Sequence, residues 1–311
     1  NPITTGTHKN ATVSITISGT TGRIISGAVA PTTDGVARFP DLIVAGTVVP
    51  NNTYTLIFSV TYTNSAGTVV TVTDQENFTL NAGDATKIVL NSSSQTVANR
   101  ATLAGIEVSL EDDYSNKVLV QKQITVTAST GRDLLQSVTL DGTRSRTTPN
   151  LVGTTTFSDL ALKGKADTYT LTFESAGLAS TTHTVRLTHG AAASLSVTAP
   201  TTAANDRDFD SNLIVEIVDL DANVVTSGVQ STQTISLSAT TTLTGTRAIS
   251  ATAGRATFTN LRMLGEIGTK VLTASIASPS TITATRDITL GFGTATRLVI
   301  STQASGFVNR V

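Results

Sequence analysis

The sequence predicts an all-β protein built from repeated β-sandwiches, and three observations carry that prediction. Apolar residues alternate with Thr and Ser over short stretches. A set of landmarks returns at intervals of about 105 residues. One such interval holds about seven alternating stretches separated by turn residues. Thr is the commonest of the 311 residues and the long straight-chain helix formers are scarce, a mixture that suits a pleated surface better than a helix.

The alternation is clearest in Val13-Ser-Ile15-Thr-Ile17, Ile124-Thr-Val126-Thr-Ala128, Tyr169-Thr-Leu171-Thr-Phe173 and Ile235-Ser-Leu237-Ser-Ala239. A period of two gives each strand one buried and one wet face. The wet positions carry Thr more often than Lys or Glu, which keeps β-branching and hydroxyl solvation without charge, as many secreted surface proteins do. Composition also excludes whole classes of function. With no Cys, disulfide, zinc–cysteine and thiol-redox chemistry are gone. With 21 Lys and Arg against 22 Asp and Glu and no basic run, nothing drives counterion release onto nucleic acid or attraction to an anionic membrane. No run of 18 apolar residues occurs, so no direct membrane insertion is expected. The start at Asn1 and the single Met263 read as a mature or internal segment of a longer protein.

Four landmarks recur in one order. The first is Gly83-Asp-Ala-Thr-Lys-Ile-Val-Leu90, repeated from Gly190 to Val197 and from Gly293 to Ile300, so that Gly83, Gly190 and Gly293 lie 107 and 103 residues apart. The second is Gly35-x-x-x-Phe39-x-Asp-Leu42, repeated as Gly153 to Leu160 and Gly254 to Leu261. The third is Thr53-Tyr54-Thr-Leu56, repeated as Thr168 to Leu171 and, with Lys270 in place of Tyr, as Thr269 to Leu272. The fourth pairs Asp112-x-x-x-Asn116-x-Val118 with Asp219-x-x-x-Asn223-x-Val225. Phe39, Phe157 and Phe258 recur at one repeat position, as core residues do. Within the complete unit, 84–190, strands are expected near 86–90, 103–110, 117–128, 134–140, 153–162, 167–175 and 180–187, the strand count and length of a two-sheet sandwich.

The Gly-x-x-x-Phe-x-(Asp/Asn)-Leu strand and the Asp-x-x-x-Asn-x-Val hairpin resemble those of bacterial immunoglobulin-like repeats, the tandem domains of invasin-type adhesins, surface-layer proteins and other large cell-surface proteins. The resemblance spans nearly the whole chain. It implies tandem immunoglobulin-like sandwiches stacked end to end as a rod, with Leu in place of the inter-sheet Cys. In that fold a Tyr near the start of the sixth strand bonds back across the corner, the place that Tyr54 and Tyr169 hold two residues before Leu56 and Leu171. Lys270 departs from the pattern.

The expected units are 1–83, lacking its opening strands; 84–190; 191–293; and 294–311, which copies the start of a further repeat, with Val308-Asn309-Arg310 matching Ala98-Asn99-Arg100. Junctions of a few residues at Gly would make the rod semi-rigid. Two explanations of the ends stand: a window cut from a longer array, or a tail that completes the first domain of the next subunit by strand exchange.

Candidate chemistry is sparse. His8, His183 and His189 form no ligand pair at helical spacing, and no catalytic or phosphate-binding motif is present. Asp206, Asp208 and Asp210 put oxygens at alternate positions, as a calcium loop begins, and Asp219 and Asp221 would join them if the loops met. Ser211 and Ile217 stand where a calcium loop has its Gly and its bidentate Glu. A solvated strand edge accounts for the same acidic residues, and turn chemistry accounts for the Asp/Asn hairpins. Asn10, Asn51, Asn77 and Asn91 open glycosylation sequons. The expectation is therefore a non-catalytic, extracellular structural protein that requires no cofactor. It would be a segment of a cell-surface filament, stalk or surface-layer lattice, and its partners would be copies of itself or neighbouring repeats. The rival is an adhesin stalk or module that binds a receptor or carbohydrate.

Overall fold

In the computed structural model, residues 10–19, 21–48, 53–129, 138–277, 281–300 and 306 are described. The one helical element among them is the short 3-10 turn Val229–Thr232; everything else ordered is strand.

Between residues 82 and 187 the alternating strands close on one core. A three-stranded sheet places Ile106–Glu111 between Lys87–Leu90 and Thr154–Phe157. A five-stranded sheet runs in the order Ser145–Thr147, Gln123–Ala128, Thr168–Glu174, Thr181–Thr188, Gln95–Ala98. Inward residues of both sheets meet: Ile88, Ile106, Val108 and Phe157 from one, and Ile124, Val126, Tyr169, Leu171, Phe173 and Val185 from the other. The Thr residues between Tyr169, Leu171 and Phe173 are at least partly exposed, so the period-two pattern sorts this strand as expected. Each large apolar side chain buried this way contributes about 1.5–3 kcal/mol, which is how a chain without cysteine holds its sheets together.

The stretch from 192 to 291 repeats the arrangement strand for strand. Leu213–Val218 lies between Ser194–Thr198 and Arg255–Phe258, and the second sheet runs Ala248–Ser250, Thr234–Ala239, Gly268–Ile276, Ile282–Gly291, Thr202–Ala204. A separate core of Leu213, Val215, Ile235, Phe258, Leu272 and their neighbours fills it. Phe157 and Phe258 are fully buried at their shared repeat position, while Phe39 is half-buried, edge-on to Phe58.

In residues 10–83 the described strands form one five-stranded sheet, in the order Val36–Ala37, Val29–Thr33, Thr12–Ser18, Tyr54–Thr63, Val69–Phe78, and the pair Arg23–Ser26 with Ile43–Ala45. Among the described residues nothing here corresponds to the strands Lys87–Leu90 and Ile106–Glu111. Val29, Ile43, Val69 and Val72 are exposed, as expected of a sheet whose covering strands are absent from that set.

Several expected strands differ in detail. The stretch 153–162 is two strands, Thr154–Phe157 and Ala161–Lys163, because Asp159 turns out to accept the Thr143 backbone N–H (3.1 Å) and hydroxyl (2.5 Å). The strand expected from 117 starts only at Gln123, with Lys117 making an isolated bridge to Glu111. The strand Gln95–Ala98, which pairs parallel to Thr181–Thr188, lies outside the expected strands. Of the strand expected at 134–140, residues 134–137 lie outside the described residues, and the ordered part is Thr139–Asp141. Gly35, Gly153 and Gly254 all have positive φ (77°, 65° and 76°), so the Gly of the second landmark is a conformational requirement.

Candidate functional site

Five of the nine buried polar or charged residues among those described are Asn99, Asp112, Asn116, Asp219 and Asn223. They gather at two places, where the Asp-x-x-x-Asn hairpins meet the strands that precede them. Burying so many hydrogen-bonding groups is costly unless each is satisfied.

Each hairpin first satisfies itself. Asp112 Oδ1 accepts the N–H groups of Tyr114 and Asn116, both at 2.9 Å, and Asp219 Oδ1 does the same for Asp221 and Asn223 at 2.9 Å. The turn chemistry is as expected, with one correction. The left-handed residues are Ser115 (φ 62°) and Ala222 (φ 57°), not the Asp or Asn, and the aspartate caps hold that otherwise unfavourable conformation.

The remaining oxygens and the asparagines reach outward. At the first hairpin, Gly83 N–H donates to Asp112 Oδ2 (2.9 Å), Val48 N–H donates to Asn116 Oδ1 (2.6 Å), and Asn116 Nδ2 donates to Gly46 O (3.0 Å). At the second, Gly190 N–H donates to Asp219 Oδ2 (2.7 Å), Ala166 N–H donates to Asn223 Oδ1 (2.8 Å), and Asn223 Nδ2 donates to Gly164 O (2.9 Å). The two sets correspond bond for bond. In both, the Asn amide also donates to the Asp Oδ2 at 3.0 Å, which fixes its orientation. We call each set a clamp: an Asn that grips both sides of a loop, and an Asp that grips the glycine between repeats.

The gripped loop is held from behind by the corner tyrosine. Tyr54 Oη donates to Thr47 O and Tyr169 Oη to Lys165 O, both at 2.7 Å, and each acceptor is the residue between the two that the Asn holds. The expected tyrosine corner is therefore present at both positions that carry Tyr, and it stiffens the surface against which the clamp closes.

The second clamp carries additional bonds. Asn99 accepts Gly164 N–H (3.1 Å) and donates to Asp219 (2.9 Å) and Asp221 (2.6 Å). Arg100 binds Asp221 with both Nε (2.7 Å) and a terminal nitrogen (3.0 Å). His189 Nε2 meets Ser227 Oγ at 2.8 Å and accepts its N–H at 3.2 Å. At the first clamp the residue matching Asp221 is Tyr114, and the Arg23 guanidinium stacks over its ring at 5.0 Å.

These donors set the electrostatics. Burial, the largest single influence on Asp219, pushes its pKa up, but the Gly190 N–H, the Asn223 side chain and N–H, and the Asn99 amide outweigh it and bring the carboxyl to about 2. Asp112 is shifted down in the same way, against its burial, by Asn116, Gly83 and Tyr114. The Arg100 hydrogen bond lowers Asp221. The clamps thus hold their aspartates as anions.

The five aspartates considered for calcium do not come together. Asp219 and Asp221 belong to the second clamp, whereas Asp208 pairs with Arg262 (2.6 Å), and Asp206 and Asp210 are exposed nearby. Among the described residues no group of three or more His, Asp or Glu is placed to hold a metal ion. Of the sequon asparagines, Asn10, Asn77 and Asn91 are exposed; Asn77 accepts the Thr55 hydroxyl and Asn91 donates to Glu107. Asn51 and His8 lie outside the described residues, as do 301–305 and 307–311 of the expected strand after Gly293. Residues 294–300 are exposed and form no strand. His183 is buried in its strand.

No known family profile matches the chain, and no curated protein matches it. Among solved structures it is similar to the extracellular domain of protocadherin gamma B4 (13% identity, 93% of this chain and 44% of that one, TM-score 0.34). It is also similar to a putative membrane anchored protein from Corynebacterium diphtheriae (13%, 81% and 61%, TM-score 0.28) and to a beta-glycosidase from Bacteroides vulgatus (11%, 67% and 25%, TM-score 0.30). The chain spans only a quarter of that glycosidase, and likeness at these scores carries no weight for function. The strand order and the clamps carry the argument instead.

Proposed function

We propose that the chain is a non-catalytic structural module of an extracellular, cell-surface protein: immunoglobulin-like sandwiches, bounded near Gly83, Gly190 and Gly293, that stack end to end as a semi-rigid rod. Its work is to set length and stiffness in a filament, stalk or surface lattice, and its partners are neighbouring repeats. One observation supports this above the rest. The same Asp/Asn pair makes the same three cross-repeat bonds at both hairpins, although neither hairpin needs them to form its own turn. Directional hydrogen bonds to backbone on both sides of a short glycine linker restrict bending, which a tether with no mechanical role would not require.

Small-angle scattering on the 1–311 chain tests the reading. A rod gives an extended profile, and the double variant Asn116→Ala with Asn223→Ala shortens its maximum dimension and broadens its distance distribution. A wild-type chain that scatters like the double variant, as a freely jointed set of beads, would sink the proposal.

A further inference from the structure

The surface that both clamps grip exists a third time, at the far end of the 191–293 stretch. In each repeat a Gly follows the Leu of the second landmark by four residues: Gly46 after Leu42, Gly164 after Leu160, Gly265 after Leu261. Gly46 O and Gly164 O accept from a clamp Asn. Gly265 takes up the same backbone conformation as Gly164, with φ 147° against 156°. Two residues on, where Val48 and Ala166 donate to a clamp, stands the exposed Ile267. Gly293 matches Gly190, and the neighbourhood matches too. Asn205 N–H donates to Gly291 O as Asn99 N–H does to Thr188 O, and Asp206 N–H donates to Met263 O as Arg100 N–H does to Leu162 O.

Asn205 keeps the identity of Asn99 but bonds differently. Asn99 holds Gly164 N–H with its oxygen and sends its amide across to Asp219 and Asp221. Asn205 likewise accepts Gly265 N–H (3.2 Å), but its amide folds back onto Gly265 O (2.7 Å), the oxygen that a clamp Asn takes elsewhere. Beside it Phe292 is 82% exposed at the position of the junction residue His189.

We infer that the Gly265–Ile267 loop and Gly293 form a third socket, whose occupant is the Asp-x-x-x-Asn hairpin of a further sandwich following Gly293. This inference rests on the proposed role of the clamps. In both occupied cases the Asp lies 29 residues beyond its linker Gly, so the fitting hairpin has its Asp at that spacing after Gly293. A second copy of this chain cannot supply the hairpin, because both of its own are engaged. The socket also constrains the hairpin's middle residue. Arg100 meets the acidic Asp221, but the matching residue here is the exposed Asp206, at φ 58° against 70° for Arg100. A hairpin with a neutral or basic residue at its third position fits, and one with an acidic residue there is repelled.

The test is a fusion in which the chain through Gly293 is followed by a second copy of residues 84–190, which places Asp112 of the copy at the required spacing with Tyr114 in the middle. Hydrogen exchange is read at the amides of Ile267 and Gly293. Slowing of both by tenfold or more relative to the 1–311 chain, reversed by Asn116→Ala in the added copy alone, supports the socket. A fusion with 191–293 in place of 84–190 should show weaker protection, restored by Asp206→Arg at the socket. Unchanged exchange at Ile267 while the added copy's core amides are protected overturns the inference. If Val48 and Ala166 also exchange freely in the parent chain, the clamp reading itself is what fails.

Discussion

Replacing Asn223 by Ala isolates what a clamp contributes, because the side chain is buried and all its bonds are known. It accepts from Ala166 N–H, donates to Gly164 O, and donates to the ionised Asp219. A neutral hydrogen bond contributes about 0.5–1.5 kcal/mol net and one to a charged group about 1.5–3 kcal/mol, so the three together come to about 2.5–6 kcal/mol. The effect should be local. Ala166 N–H loses its acceptor, and its exchange should accelerate by about a hundredfold, the factor that roughly 3 kcal/mol represents. Amides in Thr168–Glu174, whose partners lie in neighbouring strands, should change little. Asn223→Asp sharpens the test: it keeps an acceptor for Ala166 but replaces the donor to Gly164 O with a carboxylate facing Asp219. It should therefore damage the junction at least as much as Ala at neutral pH and less at acid pH. Native-state exchange followed by NMR reads each amide separately. If Ala166 exchange is the same in Asn223→Ala as in the parent, the bonds across the junction carry no free energy and the reasoning is wrong.

Three further outcomes are expected. Asp219 titrates near 2 in the folded chain against 3.8 unfolded, so the stability it confers is complete above about pH 4 and is lost as pH falls toward 2. The loss is about 2 kcal/mol, read as a drop in denaturant midpoint that Asp219→Ala abolishes. Burial lowers the His183 pKa below 6.5, so its contribution is present above that value and lost as pH falls below it; melting temperature should decline from pH 7 to 5, and His183→Leu should flatten that slope. Gly153→Ala should destabilise the 84–190 stretch by about 2 kcal/mol or more, because a Cβ there both strains a backbone at φ 65° and runs into the Val118 carbonyl; a calorimetric transition unchanged within a degree would contradict this.

Much of the fold was legible because it depends on patterns the sequence writes locally. Tyr169, Leu171 and Phe173 alternate with Thr, and the tyrosine corner follows from a residue spacing. The strand Gln95–Ala98 was missed because it pairs parallel to Thr181–Thr188, more than eighty residues away, and nothing in Gln-Thr-Val-Ala marks that partner. The site was half legible. The Asp-x-x-x-Asn recurrence was visible, and its turn role accounted for one oxygen of each Asp. Its second role was hidden because its partners are backbone N–H and C=O groups, which carry no residue signature. The available signal was the Gly that follows Leu42, Leu160 and Leu261 by four residues, a recurrence outside the four landmarks. The carboxylates of the calcium expectation have partners that residue spacing does not show. Backbone N–H groups and Arg100 occupy Asp219 and Asp221, and Arg262 occupies Asp208.

The two clamps differ in what surrounds a shared centre, and the difference orders their stiffness. Three backbone bonds are common to both, so neither junction is a free hinge. Around the first, among the described residues, Arg23 stacks on Tyr114, a cation–π contact worth about 0.5–1 kcal/mol at an exposed site, and Thr21 meets Tyr54 Oη at 2.8 Å and accepts the Thr47 N–H at 3.4 Å. Around the second, Asn99 bridges two aspartates, Arg100 holds Asp221 in a two-point grip, Lys165 donates to Ala222 O and His189 meets Ser227. Asn99 and Arg100 sit just after Gln95–Ala98, the strand whose counterpart the described part of 10–83 does not contain. The extra bonds at the second junction therefore follow from a complete sandwich standing behind it, and a chain of complete repeats would be stiffer along its length than at its first junction. Bending under load should begin between Gly46 and Asp112, where, among the described residues, no ion pair crosses the junction as Arg100–Asp221 does at the second.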